Sequence, residues 1–233
     1  MISQALEANG AIVYVLGRRQ EVLDKAASTA VCLYLLARVL ENIADRPPQK
    51  HGNIYPVKAD VTSKSDLSAA VDYIAEKSGH VNLVIANSGI SGPTLQGLEK
   101  GASLADFRKH LFDWDSADFN ETFAVNTTAV FYTIVAFLEL LDKGNKAKNV
   151  EQKSQVIAVS SIGAFNRIPL AGYAYGGSKA AVVHTMKQFA TNLAPYDIRS
   201  NVIAPGCKLA CSLHGLALWC CAIMKDVRAC SIC

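Results

Sequence analysis

SQVIAVSSIGAFNRIPLAGYAYGGSK, residues 154–179, decides the reading of this chain. It opens on Val156, Ile157, Ala158 and Val159, an apolar run of the length of a buried strand, and two hydroxyls, Ser160 and Ser161, follow at once. Gly163 and Pro169 mark a loop, and a helix-compatible run starts near Tyr175 and continues through Ala180, Ala181, Val182 and Val183. Tyr175 and Lys179 are four positions apart, so on that helix they share a face, one turn from each other. A free tyrosine titrates near about 10 and holds its proton too tightly at neutral pH for ready exchange with an alcohol. A fixed ammonium one turn away favours the phenolate and makes the phenol a usable general acid or base. The serine at the strand end is placed to hold the reacting oxygen. A Tyr and a Lys at this spacing also occur on many solvated helices, so the surrounding elements have to decide.

Upstream, LVIANSG at residues 83–89 is a strand ending in Asn87, Ser88 and Gly89, where Gly89 lets the backbone pass close to a ligand. Ala59-Asp60-Val61 ends another apolar run that starts at Ile54, and Asn126 lies in AVNTTAVF within a helical stripe. Downstream, RSNVIAPG at residues 199–206 is a further strand, closed by Pro205-Gly206. Together and in this order, these elements resemble the short-chain dehydrogenase/reductase family. Ser88 departs from that family's strand-plus-NNAG element, as does the lack of an Ala before Gly89. The resemblance covers most of residues 1–206.

The resemblance implies an α/β fold, a doubly wound, Rossmann-like parallel sheet. It also implies hydride transfer between a nicotinamide cofactor and a carbonyl or alcohol. In that reading Tyr175 exchanges the proton and Ser161 orients the oxygen, with Ser160 as the substitute because the spacing to Tyr175 is one longer than the commoner pattern. Lys179 supports Tyr175 and binds the nicotinamide ribose, and Asn126 holds a water that relays protons to the lysine. Asp60, Val61, Asn87, Ser88, Gly89, Pro205 and Gly206 would line the cofactor. After the strand at residues 11–16, Arg18 and Arg19 stand where an acid would select NAD, and no acid occurs before Glu21. That favours NADP, with NAD as the alternative. The other reading of the two arginines is that they solvate a helix start.

Residues 2–9 have helical spacing with Gly10 as the C-cap, and lack the basic start and long apolar centre of a signal peptide. In the resembled family this helix follows a central strand and a glycine-rich turn that cradles the pyrophosphate at a helix N-terminus. The chain begins inside that helix, so the expectation is an incomplete sheet lacking the first strand and its turn. The strand at residues 11–16 is then expected to be unpaired along one side. Residues 31–49 stretch the expected spacing before the strand at Ile54. The codons for Val31-Cys32, Ala44-Asp45 and Gln49 can spell an intron donor, branch point and acceptor, and the segment is read as an insertion or retained intron. Residues 63–77 read as a helix with Ser63 or Ser65 capping it and Leu67, Ala70, Val71 and Ile74 on its buried face. Residues 90–115 read as loop, and residues 116–141 as one long helix.

Residues 207–233 hold six of the seven cysteines, a composition unlike the rest, and are read as an atypical tail. Cys207, Cys211, Cys230 and Cys233 fit no strong zinc template, and no export signal supports disulfides. A net charge of +3, with lysines 143, 146, 148 and 153 among polar residues, describes a solvated loop and argues against a nucleic-acid partner. The longest apolar stretches fall short of a membrane span of about 20 residues. No GxSxG elbow and no HExxH occurs, which sets a serine hydrolase and a metalloprotease aside. What the resemblance implies is a cytoplasmic, self-associating oxidoreductase acting on a small carbonyl or alcohol. The alternative is a non-catalytic or mis-spliced fragment of such an enzyme that binds no cofactor.

Overall fold

Parallel strands present the loop-borne candidate residues at or beyond their carboxyl ends, and helices carry Asn126, Tyr175 and Lys179. The computed structural model describes residues 2–28, 52–169, 171–207 and 219–224. Residues 31–49 and most of the tail, 208–218 and 225–233, lie outside the described residues, and so do the readings made of them. Contacts divide the chain into two units, Met1–Ile74 and Ala75–Cys233, with the division falling inside the helix Lys64–Ser78.

In the first unit the helix Ile2–Ala8 ends where predicted. The Gly10 N–H donates to the Glu7 carbonyl and the Ala11 N–H to that of Leu6, while Gly10 takes φ 89°, a value that favours glycine. Strand β1 (Val13–Gly17) pairs in parallel with β2 (Ile54–Lys58), Val13 opposite Ile54 and Gly17 opposite Lys58. Among the described residues β1 has no second neighbour. The helix Gln20–Ser28 places Leu23 against Gly17, where a Cβ would stand 3.1 Å from the Leu23 Cδ2. Of the two capping candidates, Ser63 is the one used: its Oγ accepts from the Asp66 N–H at 3.2 Å and donates to the Asp66 carboxylate at 2.9 Å. Leu67, Ala70 and Ile74 are buried as the helical stripe predicts, and Val71 is half-buried.

The second unit is a sheet in the order β3 (Leu83–Ala86), β4 (Gln155–Val159), β5 (Arg199–Cys207) and β6 (Trp219–Met224). The first three strands are parallel and β6 is antiparallel to β5, so the described part of the tail is a strand. Parallel neighbours need long crossovers. Helices between residues 104 and 147 make the first, and the helix Tyr173–Asn192 makes the second. Val156, Ala158, Val182, Met186, Val202 and Ile134 are almost fully buried and form its core. Parallel strands joined by helices give an α/β, Rossmann-like fold.

Three expectations are corrected, the first being that lysines 143 and 146 belong to the helix Leu138–Ala147 and not to a loop. Residues 90–115 are not all loop: Leu104–Phe112 is a helix, N-capped by Ser103, whose Oγ accepts from the Asp106 N–H and donates to its carboxylate. Residues 116–141 are not one straight helix. Ser116–Phe123 passes into a π-helical turn, Ala124–Thr128, then into Ala129–Ala136, and the axis bends by 44° before Leu138–Ala147. Among the described residues no single helix is long and apolar enough to cross a membrane.

Candidate active site

β3, β4 and β5 run in one direction, so their carboxyl ends, Asn87–Gly89, Ser160–Ser161 and Pro205–Gly206, emerge at one edge of the sheet. Ligands bind at that edge in open α/β sheets. Gly206 lies against Ile162, the residue after Ser161, and a Cβ on it would stand 3.1 Å from the Ile162 Cδ1. Asn87 is exposed and Ser88 half-buried.

The two serines have different duties. The Ser160 Oγ is buried and donates to the Lys179 carbonyl at 2.8 Å, so its proton is spent on the helix backbone. The Ser161 Oγ accepts from the Gly163 N–H at 3.0 Å and caps the short turn Ile162–Ala164, leaving its own proton for another acceptor. Gly163 brings Ser161 and Tyr175 together. A Cβ there would meet the Ser161 Oγ at 3.3 Å and the Tyr175 Cε1 at 3.5 Å.

Tyr175 and Lys179 occupy one face of the helix Tyr173–Asn192, with the Lys179 Nζ 5.9 Å from the Tyr175 ring centroid. The side chain of Lys179 is 4% exposed and its Nζ donates to the Val159 carbonyl at 2.9 Å. Burial lowers its pKa from 10.5 to about 8, because the charged form loses its hydration. At pH 7 it remains largely an ammonium with two N–H groups to spare.

Asn126 sits in the π-helical turn, a feature frequent at functional sites. Its Oδ1 accepts from the Ile90 N–H at 2.8 Å, and its Nδ2 donates to the Ile90 carbonyl at 2.9 Å and to the Ser178 Oγ at 3.0 Å. Both amide hydrogens are therefore committed. A relay water at this residue is left with the second lone pair of Oδ1 or the main-chain carbonyl. Gly89 is wedged between Asn126 and Lys179: a Cβ would stand 3.1 Å from both the Asn126 Oδ1 and the Lys179 Nζ. The sequence offers this glycine a strand-ending turn or an approach to the cofactor, and shows nothing of its protein neighbours. Nor does the sequence mark Ser178, although the residue directly precedes Lys179.

In the first unit, Arg18 and Arg19 follow β1 and are exposed, and Asp60 and Val61 follow β2. The Arg18 Nη1 lies 3.9 Å from the Asp60 Oδ2. The Asp60 carboxylate accepts from the Thr62 N–H and hydroxyl, which, more than the arginine, lower its pKa. Among the described residues no cluster of three metal-ligating side chains occurs.

A cavity of about 420 Å³ lies elsewhere in the second unit, between Leu111, Trp114, Phe119 and Tyr173, and it is lined by none of Ser161, Tyr175 and Lys179. Tyr173 precedes Tyr175 by two positions and so points to the other side of the helix.

Known proteins share this chain's sequence pattern and fold. The short-chain dehydrogenase/reductase PhomF of Diaporthe leptostromiformis is 47% identical over 206 residues, 88% of this chain and 64% of that protein. This chain thus spans a little under two thirds of that relative. The short-chain dehydrogenase/reductase VdtF of Byssochlamys spectabilis is 42% identical, with 88% of this chain and 68% of the relative covered. In three dimensions the chain superposes on the Pseudomonas aeruginosa RhlG/NADP active-site complex with a TM-score of 0.67, covering 88% of this chain and 66% of that one. At 24% identity this likeness speaks for the fold alone. The short chain dehydrogenase family profile matches residues 1–213, and the chain belongs to that family.

Proposed function

We propose that this chain carries the reacting groups of a nicotinamide-dependent oxidoreductase that interconverts a carbonyl and an alcohol. The observation that carries the reading is the meeting of three side chains at the carboxyl edge of the sheet. The Ser161 hydroxyl retains its proton, Tyr175 lies across Gly163 from it, and the Lys179 ammonium stands one helical turn beyond.

The residues present suit the nicotinamide end of a dinucleotide. The Lys179 Nζ uses one of its donors on Val159, and the others can hold ribose hydroxyls. Gly89 and Gly206 keep the strand ends free of side chains there. When bound, the cofactor supplies or accepts the hydride. The protein handles the proton: Ser161 donates a hydrogen bond to the reacting oxygen, and Tyr175 passes its phenolic proton to that oxygen or takes it back. Lys179 stabilises the charge that develops on Tyr175 as the proton leaves. Asn126 ties the loop after β3 to the catalytic helix and, through its remaining acceptors, anchors a water on the way to Lys179.

NADP is the proposed cofactor, because Arg18 and Arg19 follow β1 and no acid stands between them and Glu21; NAD is the alternative. Asp60, Val61, Asn87, Ser88, Pro205 and Gly206 are proposed to complete the binding surface. A cytoplasmic location is proposed with this activity. So is self-association through the helix Ala129–Ala136, where Phe131 and Val135 remain 41% and 39% exposed. Residues 31–49 are proposed as an insertion outside the family's own pattern, which transcripts lacking that segment would establish.

One observation favours a second reading, a chain that no longer binds cofactor. Among the described residues β1 pairs only with β2, and its turn into the next helix, Gly17-Arg18-Arg19, holds one glycine where a pyrophosphate cradle holds several. Titration with NADPH and NADH, followed by nicotinamide fluorescence, separates the two. Saturable binding, tighter for NADPH, supports the oxidoreductase, and no binding at millimolar cofactor assigns the chain to the second reading.

A further inference from the structure

Ser178 lies between the two residues of the Tyr–Lys pair in sequence, is fully buried, and is held from two sides. Its Oγ donates to the Tyr175 carbonyl at 2.8 Å and accepts from the Asn126 Nδ2 at 3.0 Å. Its own carbonyl accepts from the Thr127 Oγ1 at 3.1 Å. The neighbours that grip it belong to the π-helical turn, and Asn126 in turn holds both the N–H and the carbonyl of Ile90, next to Gly89. Hydrogen bonds thus run without a gap from the catalytic helix, through the π turn, to the loop after β3. Each is directional: the Ser178 proton is spent on Tyr175, so towards Asn126 its oxygen can only accept, and it takes the amide hydrogen that Ile90 leaves over.

We propose that Ser178 is a positioning residue: by accepting from Asn126 it locks the amide that clamps Ile90, and so holds Gly89 against the ammonium of Lys179. Without the Ser178 hydroxyl, a buried amide N–H has no partner. The amide is then drawn off Ile90 to find one, since an unsatisfied buried donor costs more than a bent hydrogen bond. The space beside Gly89 is bounded by both residues, a Cβ there standing 3.1 Å from the Asn126 Oδ1 and the Lys179 Nζ, so slack at Ile90 is felt next to the lysine. The consequence for turnover rests on the oxidoreductase reading; the clamp itself does not.

Amide hydrogen exchange by NMR on the full chain, without cofactor, tests the clamp. In Ser178→Ala the Ile90 amide should exchange about two- to tenfold faster than the common rise seen at core amides such as Val156 and Val202, the factor that a single lost hydrogen bond supplies. Ser178→Cys keeps the shape and a weak acceptor, so it should fall between parent and alanine, and it serves if Ser178→Ala does not fold. Thr127→Val cuts the parallel bond and leaves Asn126 alone, so the Ile90 amide should exchange as in the parent. A uniform rise across the core in the Ser178 variants, or an equal acceleration of Ile90 in Thr127→Val, would overturn the proposal. Because no cofactor or substrate enters the experiment, a negative result leaves the oxidoreductase reading standing, and failure of that reading leaves the exchange result intact.

Discussion

Replacing Lys179 by methionine should abolish a pH dependence of stability that the parent chain must show. The side chain is 4% exposed, and burial holds its pKa at about 8 against 10.5 for a solvated lysine. Between those two values the unfolded chain binds a proton that the folded chain has released. Stability therefore rises with pH through this window and is at its lowest below it. At about 1.4 kcal/mol per pH unit the full rise is about 3 kcal/mol. Lys179→Met keeps the length and removes the charge. It also leaves the Val159 carbonyl without its donor, a cost of about 1–3 kcal/mol that does not vary with pH and so drops out of the comparison. Urea unfolding of parent and variant at pH 7 and pH 10.5 reads the effect. The parent should gain about 3 kcal/mol relative to the variant across that interval. Parallel behaviour of the two proteins would refute the claim that the ammonium is held desolvated.

Other substitutions separate the neighbouring groups. Gly89→Ala puts a methyl 3.1 Å from the Lys179 Nζ and the Asn126 Oδ1, and should destabilise the chain by about 1–3 kcal/mol in urea unfolding. In a Lys179→Ala background the same change should cost at least about 0.5 kcal/mol less, and strict additivity would show that the two do not touch. Ser161→Ala should lower turnover by about 100-fold or more with little loss of stability, since only its contact to Gly163 is structural. Ser160→Ala should do the reverse, costing about 1 kcal/mol through the Lys179 carbonyl while much of the turnover remains. Equal losses of turnover in the two variants would remove the distinction drawn between the hydroxyls.

The elements legible in the sequence are those whose signal is local. Val156–Val159 is an apolar run bounded by polar residues, and it is β4; Leu67, Ala70 and Ile74 keep helical spacing, and they are buried. Tyr175 and Lys179 share a face because four residues make about one turn. The helix Leu104–Phe112 was also within reach, through the Ser103–Asp106 capping pair and the spacing of Leu104, Phe107 and Leu111. None of its residues is buried, and no continuous apolar stripe marks it in the sequence.

The bend at Phe137 was not legible: no Pro or Gly announces it, and the apolar pattern runs through to Leu141. The same holds for the π turn, whose cause is tertiary. Asn126 has to face Ile90 and Ser178 at once, partners 36 and 52 positions away. The commitment of Ser160 to a main-chain carbonyl is likewise a long-range fact, and no spacing rule separates it from Ser161.

The most direct test of the central claim is cofactor oxidation measured at 340 nm with a panel of ketones and aldehydes, comparing the parent chain with Tyr175→Phe. If Tyr175 exchanges the proton, the parent turns over and the phenylalanine variant binds NADPH as before while losing about 100-fold or more in rate. Undiminished turnover in Tyr175→Phe, or a parent that binds cofactor and never turns over, contradicts the account.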